Sequence, residues 1–191
     1  MAGVASPMMG RSRAEGVRFL AGLLAGGVAG AGVLALPVYL LGRVLDPLPR
    51  WASLAAVVLV LALLGVADLR QRTPHAWRQV PQNLWHKLTP GWLGVVWGFD
   101  LALLFTTQKT TSLIWASLAG LVLLQPSLAA VALISISVTS TVLVIVSTVT
   151  AGATERTGAG WSGRWVWRIR RASGLLILAA AVGVSVHGLT V

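Results

Sequence analysis

Residues 19–36, 51–67, 128–150 and 172–189 each run without a single Asp, Glu, Lys or Arg. Runs of that kind have no water-facing side. In lipid, a spanning segment must satisfy its own backbone N–H and C=O groups, and a helix does this within one stretch of chain. About twenty apolar residues are enough to cross the hydrocarbon core. The runs therefore predict an all-α, polytopic integral membrane bundle, with residues 1–191 forming a single transmembrane domain. Charged residues make up only 10% of the chain and hydrophobic ones 56%. Soluble domains carry about a quarter charged residues, so this chain could not cover a water-facing surface.

The absence of cysteine excludes a disulfide framework, thiolate metal sites and dithiol redox chemistry. The net charge of +10 is almost entirely arginine, Lys87 and Lys109 being the only lysines. These bases lie between the apolar runs. They read as membrane orientation and contact with anionic lipid, not as a nucleic-acid surface.

The spans expected are 18–45, 51–69, 91–124, 128–150 and 172–189. Residues 1–18 are polar and basic ahead of an apolar run, as in a signal peptide, with small residues suited to cleavage near Ala35. That run continues past Pro37 to Leu41, beyond the roughly 7–15 residues of a signal core. A retained first helix is expected. Gly22, Gly26 and Gly30 repeat every four residues, which places them on one helix face as a close-packing stripe. Pro37 removes a backbone donor and is expected to kink the helix. Asp68, at the end of the second span, is expected among headgroups or paired with Arg70 or Arg72.

Two polar connectors follow. In residues 70–90, Trp77, Val80, Leu84, Trp85 and Leu88 fall on helical spacing, as in an interfacial segment. His75 and His86 lie there without carboxylates at ligand spacing, so no metal site is expected. In residues 151–171, Trp161, Trp165 and Trp167 alternate with Arg164, Arg168, Arg170 and Arg171, as in an interface belt.

Residues 91–124 are apolar except for Asp100 until Thr106-Thr107-Gln108-Lys109-Thr110-Thr111-Ser112 interrupts them. Positive loops favour the cytoplasm. If the N-terminal segment and both basic connectors share that side, the stretch between them crosses an even number of times. Two full helices of about twenty residues do not fit into 91–124. The expectation is therefore one broken crossing there and five spans in all, N-terminus in the cytoplasm of the plasma membrane. The alternative is six short spans, with 106–112 an external turn. Under five spans Lys109 lies within the membrane, with Asp100 also a candidate, and a buried charge costs roughly 2.5–3.5 kcal/mol on insertion scales. Broken helices are where transporters place their sites, because backbone groups are free there. Asp100, Thr107, Gln108 and Lys109 are accordingly the candidate substrate or ion pathway.

With Gly94, Gly98, Thr107 and this polar interruption, residues 91–124 resemble the broken helix of the cytochrome c biogenesis and thiol–disulfide interchange membrane family. That family carries electrons through a cysteine pair, with prolines, at such breaks. Thr106 to Thr111 contain neither residue. The resemblance thus implies a scaffold kept and a redox pair lost.

No helical His-Glu-x-x-His, phosphate-binding Gly loop or Gly-x-Ser-x-Gly occurs, and five acids leave little for acid–base catalysis. The leading expectation is an accessory or anchoring subunit of a larger membrane complex, without catalytic chemistry of its own. It would assemble with partner subunits or further copies of itself, and with lipid. One alternative is a small transporter or channel built on residues 106–112. Another is a cofactor-binding subunit of a redox enzyme, for which His75, His86 and His187 are the only imidazoles. No cofactor is called for by the sequence.

Overall fold

A computed structural model describes residues 12–72, 87–103, 111–151 and 162–190. Among these residues the chain is all helical, with no strand. The helices are α1 (Arg13–Leu45), α2 (Arg50–Leu69), α3 (Pro90–Ala102), α4 (Leu113–Leu123), α5 (Ala129–Ala151) and α6 (Ser162–Thr190), with a 3-10 turn at Pro126–Leu128 before α5. Among the described residues, four segments are long and apolar enough to cross a membrane: Arg13–Leu45, Arg50–Leu69, Pro126–Val146 and Val166–Gly188.

The expected crossing at 91–124 is two helices, α3 and α4, of 13 and 11 residues. At 1.5 Å per residue they extend about 20 Å and about 17 Å, each short of the roughly 30 Å hydrocarbon core. Another difference concerns the last span. Its helix starts at Ser162 and not near residue 172, so residues 162–171 of the expected connector are helical. The Arg171 guanidinium sits 3.8 Å from the centre of the Trp167 ring. That i,i+4 contact is the one a helix places side by side.

The chain forms two compact units. The first comprises Met1–Ala35, Ala76–Thr107 and Ala130–Gly158. Here the start of α1, α3 and α5 pack around Phe19, Leu20, Leu23, Leu93 and Trp97, with Val144 and Ile145 of α5 against them. Phe19 and Trp97 meet edge to face, with centroids 6.1 Å apart. The α1 and α3 backbones are in direct contact. A Cβ on Gly22 or Gly26 would strike the carbonyls of Gly91 or Val95, and one on Gly94 or Gly98 would strike those of Phe19 or Leu23. Gly30 faces Phe99 and Ala102. Gly22 lies by Gly91 and Gly30 by Phe99, so the two helices run parallel. The stripe of small residues on α1 is therefore covered by a helix of the same chain.

The second unit comprises Leu36–His75, Gln108–Ala129 and Ala159–Val191. The boundary between the units falls within α1, beside Pro37, and the helix continues through that proline. In this unit α2 and α6 are antiparallel. Gln71 meets Arg170 and Asp68 meets Ser173; Gly65 meets Gly174, and Leu54 meets Gly188. Val57, Leu61, Ile177 and Ala181 form the core between them. Ala116 and Leu123 of α4 pack on that core. α4 starts beside Asp68 and is followed by Pro126, which lies against Gly42 near the end of α1. It therefore runs from the C-terminal end of α2 toward the end where α2 begins.

Large apolar side chains such as Leu59, Leu63, Val131, Leu143, Leu175 and Val182 stay exposed. An outward surface of this kind suits lipid as its solvent.

Candidate functional site

On α2, Val57, Leu61, Gly65 and Asp68 are buried, spaced four, four and three residues apart. They form one helical stripe, so the acid stays on the face that packs inside the second unit. Asp68 is 0% exposed. Its expected place among headgroups is corrected by this burial and by the donors around it. The Ser112 backbone N–H donates to its Oδ2 at 2.8 Å and the Ser112 hydroxyl to its Oδ1 at 2.6 Å. The Ser173 hydroxyl donates to Oδ2 at 2.8 Å.

Both helix termini at this point explain the arrangement. Ser112 is the N-cap of α4, and its hydroxyl makes no capping bond of its own because it is turned to Asp68. The first N–H groups of a helix lack intrahelical acceptors and carry the positive end of the helix dipole. The Asp68 side chain on α2 supplies the acceptor, capping α4 from another helix. α2 itself ends in a Schellman pattern, with Arg72 N–H donating to the Ala67 carbonyl and Gln71 N–H to the Asp68 carbonyl. Gln71 occupies the left-handed position, φ 60°, which usually falls to glycine. Its amide Nε2 donates back to the Asp68 carbonyl, and Arg170 donates to the Gln71 carbonyl at 3.2 Å. Three helices are thus tied at one end by a buried acid and an arginine.

In the first unit, Asp100 occupies the last turn of α3 and is 7% exposed. Trp97 lies three residues before it on the same face, and its indole Nε1 is enclosed with no hydrogen-bond partner among the described residues. Of the remaining pathway candidates, Thr107, Gln108 and Lys109 lie outside the described residues, as do His75 and His86. His187 is exposed in the last turn of α6. Among the described residues no cluster of His, Asp and Glu is arranged to hold a metal ion.

The sequence reading missed Asp68 as a structural centre. The available signal was its place three residues after Gly65, in line with Leu61 and Val57. Its partners Ser112 and Ser173 are 44 and 105 residues away and carried no local signal.

No family model, curated protein or solved structure matches the chain.

Proposed function

We propose that the protein is a multi-pass membrane transporter of five crossings, with Asp100 on its ion or substrate pathway. The observation that carries the reading is Asp100 itself, an acid buried in the last turn of an apolar half-length helix. An ionisable group at such a place is costly and usually marks a transported ion, proton or substrate. Half-helices that stop inside the bilayer are where backbone groups become free to line a pathway. Thr107, Gln108 and Lys109 follow α3 in the chain and belong to the proposed pathway. A carboxylate favours a proton or a small cation as the species moved.

The span count has support in the second unit. Antiparallel α2 and α6 favour a common side for Arg72 and for the start of α6. α5 is long and apolar enough for one crossing, and the course of α4 along α2 favours residues 91–124 as part of another. The long apolar segments in α1, α2, α5 and α6 supply four of the proposed crossings, and residues 91–124 together are proposed as the fifth. Arg70, Arg72, Arg168 and Arg170 gather at the end of the second unit where α2 stops and α6 starts, and the positive-inside bias assigns that end, like the basic N-terminal segment, to the cytoplasmic side of the plasma membrane. The likeness of residues 91–124 to the cytochrome c biogenesis and thiol–disulfide interchange family is proposed for the scaffold alone.

Proteoliposomes containing the purified chain test the reading. Asp100→Asn should abolish proton- or cation-driven flux while leaving insertion intact. Flux that persists in Asp100→Asn would remove this residue from the pathway.

An accessory subunit is the second reading, favoured by Ser135 and Thr139. They lie exposed one turn apart on α5, where hydroxyls can bond to a neighbouring helix. Mild-detergent purification should then yield a stoichiometric partner. A lone chain active in flux would count against it.

A further inference from the structure

At the end of the second unit away from Asp68, a cavity of about 430 Å³ opens between the last turn of α1 and the α4–α5 turn. One wall carries Tyr39, Arg43 and Asp46, and the other carries Gln125 and Ser127. Leu124 and Leu128 complete the lining and remain 40% and 48% exposed. Arg43 donates to Asp46 at 2.9 Å, yet both side chains are more than half exposed, at 59% and 60%. The pair joins the last turn of α1 to the turn that follows it and is not buried, so each charge stays open to a second partner on its outer side. Close packing fixes the floor, since a Cβ on Gly42 would strike the Pro126 ring.

We propose that this cavity binds the phosphoethanolamine headgroup of a phospholipid. The Arg43 guanidinium presents the planar donors that suit a phosphate. Asp46, in the turn just after α1, accepts from a primary ammonium, and the amide of Gln125 and hydroxyl of Ser127 complete the polar wall. Leu124 and Leu128 face the start of the acyl chains. Tyr39 stands at the interface, where its ring and hydroxyl serve apolar and polar surroundings together. A headgroup carrying both charges matches a wall carrying both. A purely anionic headgroup would leave Asp46 facing a phosphate. A quaternary ammonium has no N–H to give to Asp46. The inference rests on the membrane-spanning reading and is independent of the transport role.

The full chain, first shown to stay in membranes after an alkaline carbonate wash, is purified and offered equal amounts of phosphatidylethanolamine, phosphatidylcholine and phosphatidylglycerol. Retained lipid is read by native mass spectrometry. Phosphatidylethanolamine should be retained in preference to both others. Arg43→Gln should weaken that retention roughly tenfold, and Asp46→Asn should erase the preference over phosphatidylglycerol. Arg50→Gln, at the same end but outside the cavity lining, should change neither. Equal retention of the three lipids, or an unchanged preference in Arg43→Gln, would overturn the proposal. Soluble O-phosphoethanolamine displacing the lipid at equal concentration would overturn the lipid as its source. Loss of the chain in the carbonate wash would instead refute the membrane reading.

Discussion

Asp68 shows how one side chain can organise a helix end. Hydrogen bonds between neutral groups in membrane helices average about 0.6 kcal/mol, whereas bonds to charged groups in proteins reach about 1.5–3 kcal/mol. The Asp68 bonds differ from the usual membrane case in being fully enclosed and in closing a helix N-terminus. Asp68→Ala strips the acceptor from three donors at once. It should destabilise the detergent-solubilised protein by about 3 kcal/mol, while Ser173→Ala, which removes one donor, should cost about 1 kcal/mol or less. Thermal unfolding of the two variants checks the ratio. Equal melting of Asp68→Ala and the parent would mean that the cluster does not hold α4. The acid was visible in sequence as an interruption at the end of an apolar run. Its burial was not, because the donors that make burial tolerable come from α4 and α6.

Among the elements, the α1–α3 pair depends on the absence of side chains at the crossing. Gly26 and Gly98 let each backbone reach the carbonyls of the other, a separation at which weak Cα–H···O contacts also contribute. Gly26→Val should force the helices apart at a cost of about 1–3 kcal/mol. Gly183→Ala meets open space and should be neutral or gain up to about 1 kcal/mol through helix propensity. Unfolding midpoints of both variants provide the comparison; a neutral Gly26→Val would refute the backbone contact. The four-residue spacing of Gly22, Gly26 and Gly30 was legible as a face. That α3 is the helix seated on it was not, because any small-residue helix satisfies the same pattern. The start of α6 was misplaced for a related reason. Hydropathy marks where a helix turns apolar, but the helix itself begins earlier, through the arginines and tryptophans at Ser162–Arg171.

For the whole molecule, the testable quantity is the side of the membrane that each helix end occupies. The chain contains no cysteine, so single introduced cysteines report without background. Arg72→Cys and Arg168→Cys should react with an impermeant maleimide only after cells are permeabilised, and Ser127→Cys should react in intact cells. Labelling of Arg72→Cys and Arg168→Cys from opposite sides would contradict the antiparallel α2–α6 pair as a membrane arrangement and remove the support for five crossings. The charge count already placed these basic segments together. The structure adds Arg170 on the Gln71 carbonyl, which brings the end of α2 and the start of α6 within hydrogen-bond distance.

By itself the sequence determined that the protein is helical and has segments able to cross a bilayer. Hydropathy and the need to satisfy the backbone in lipid are properties of contiguous residues, so they can be read along the chain. Only the tertiary structure decided that Asp68 is a buried knot instead of a surface acid, that the α1 glycines receive α3, and that residues 91–124 form two short helices in different units. Those outcomes depend on groups brought together from distant positions, and their energy comes from geometry that spacing alone does not encode.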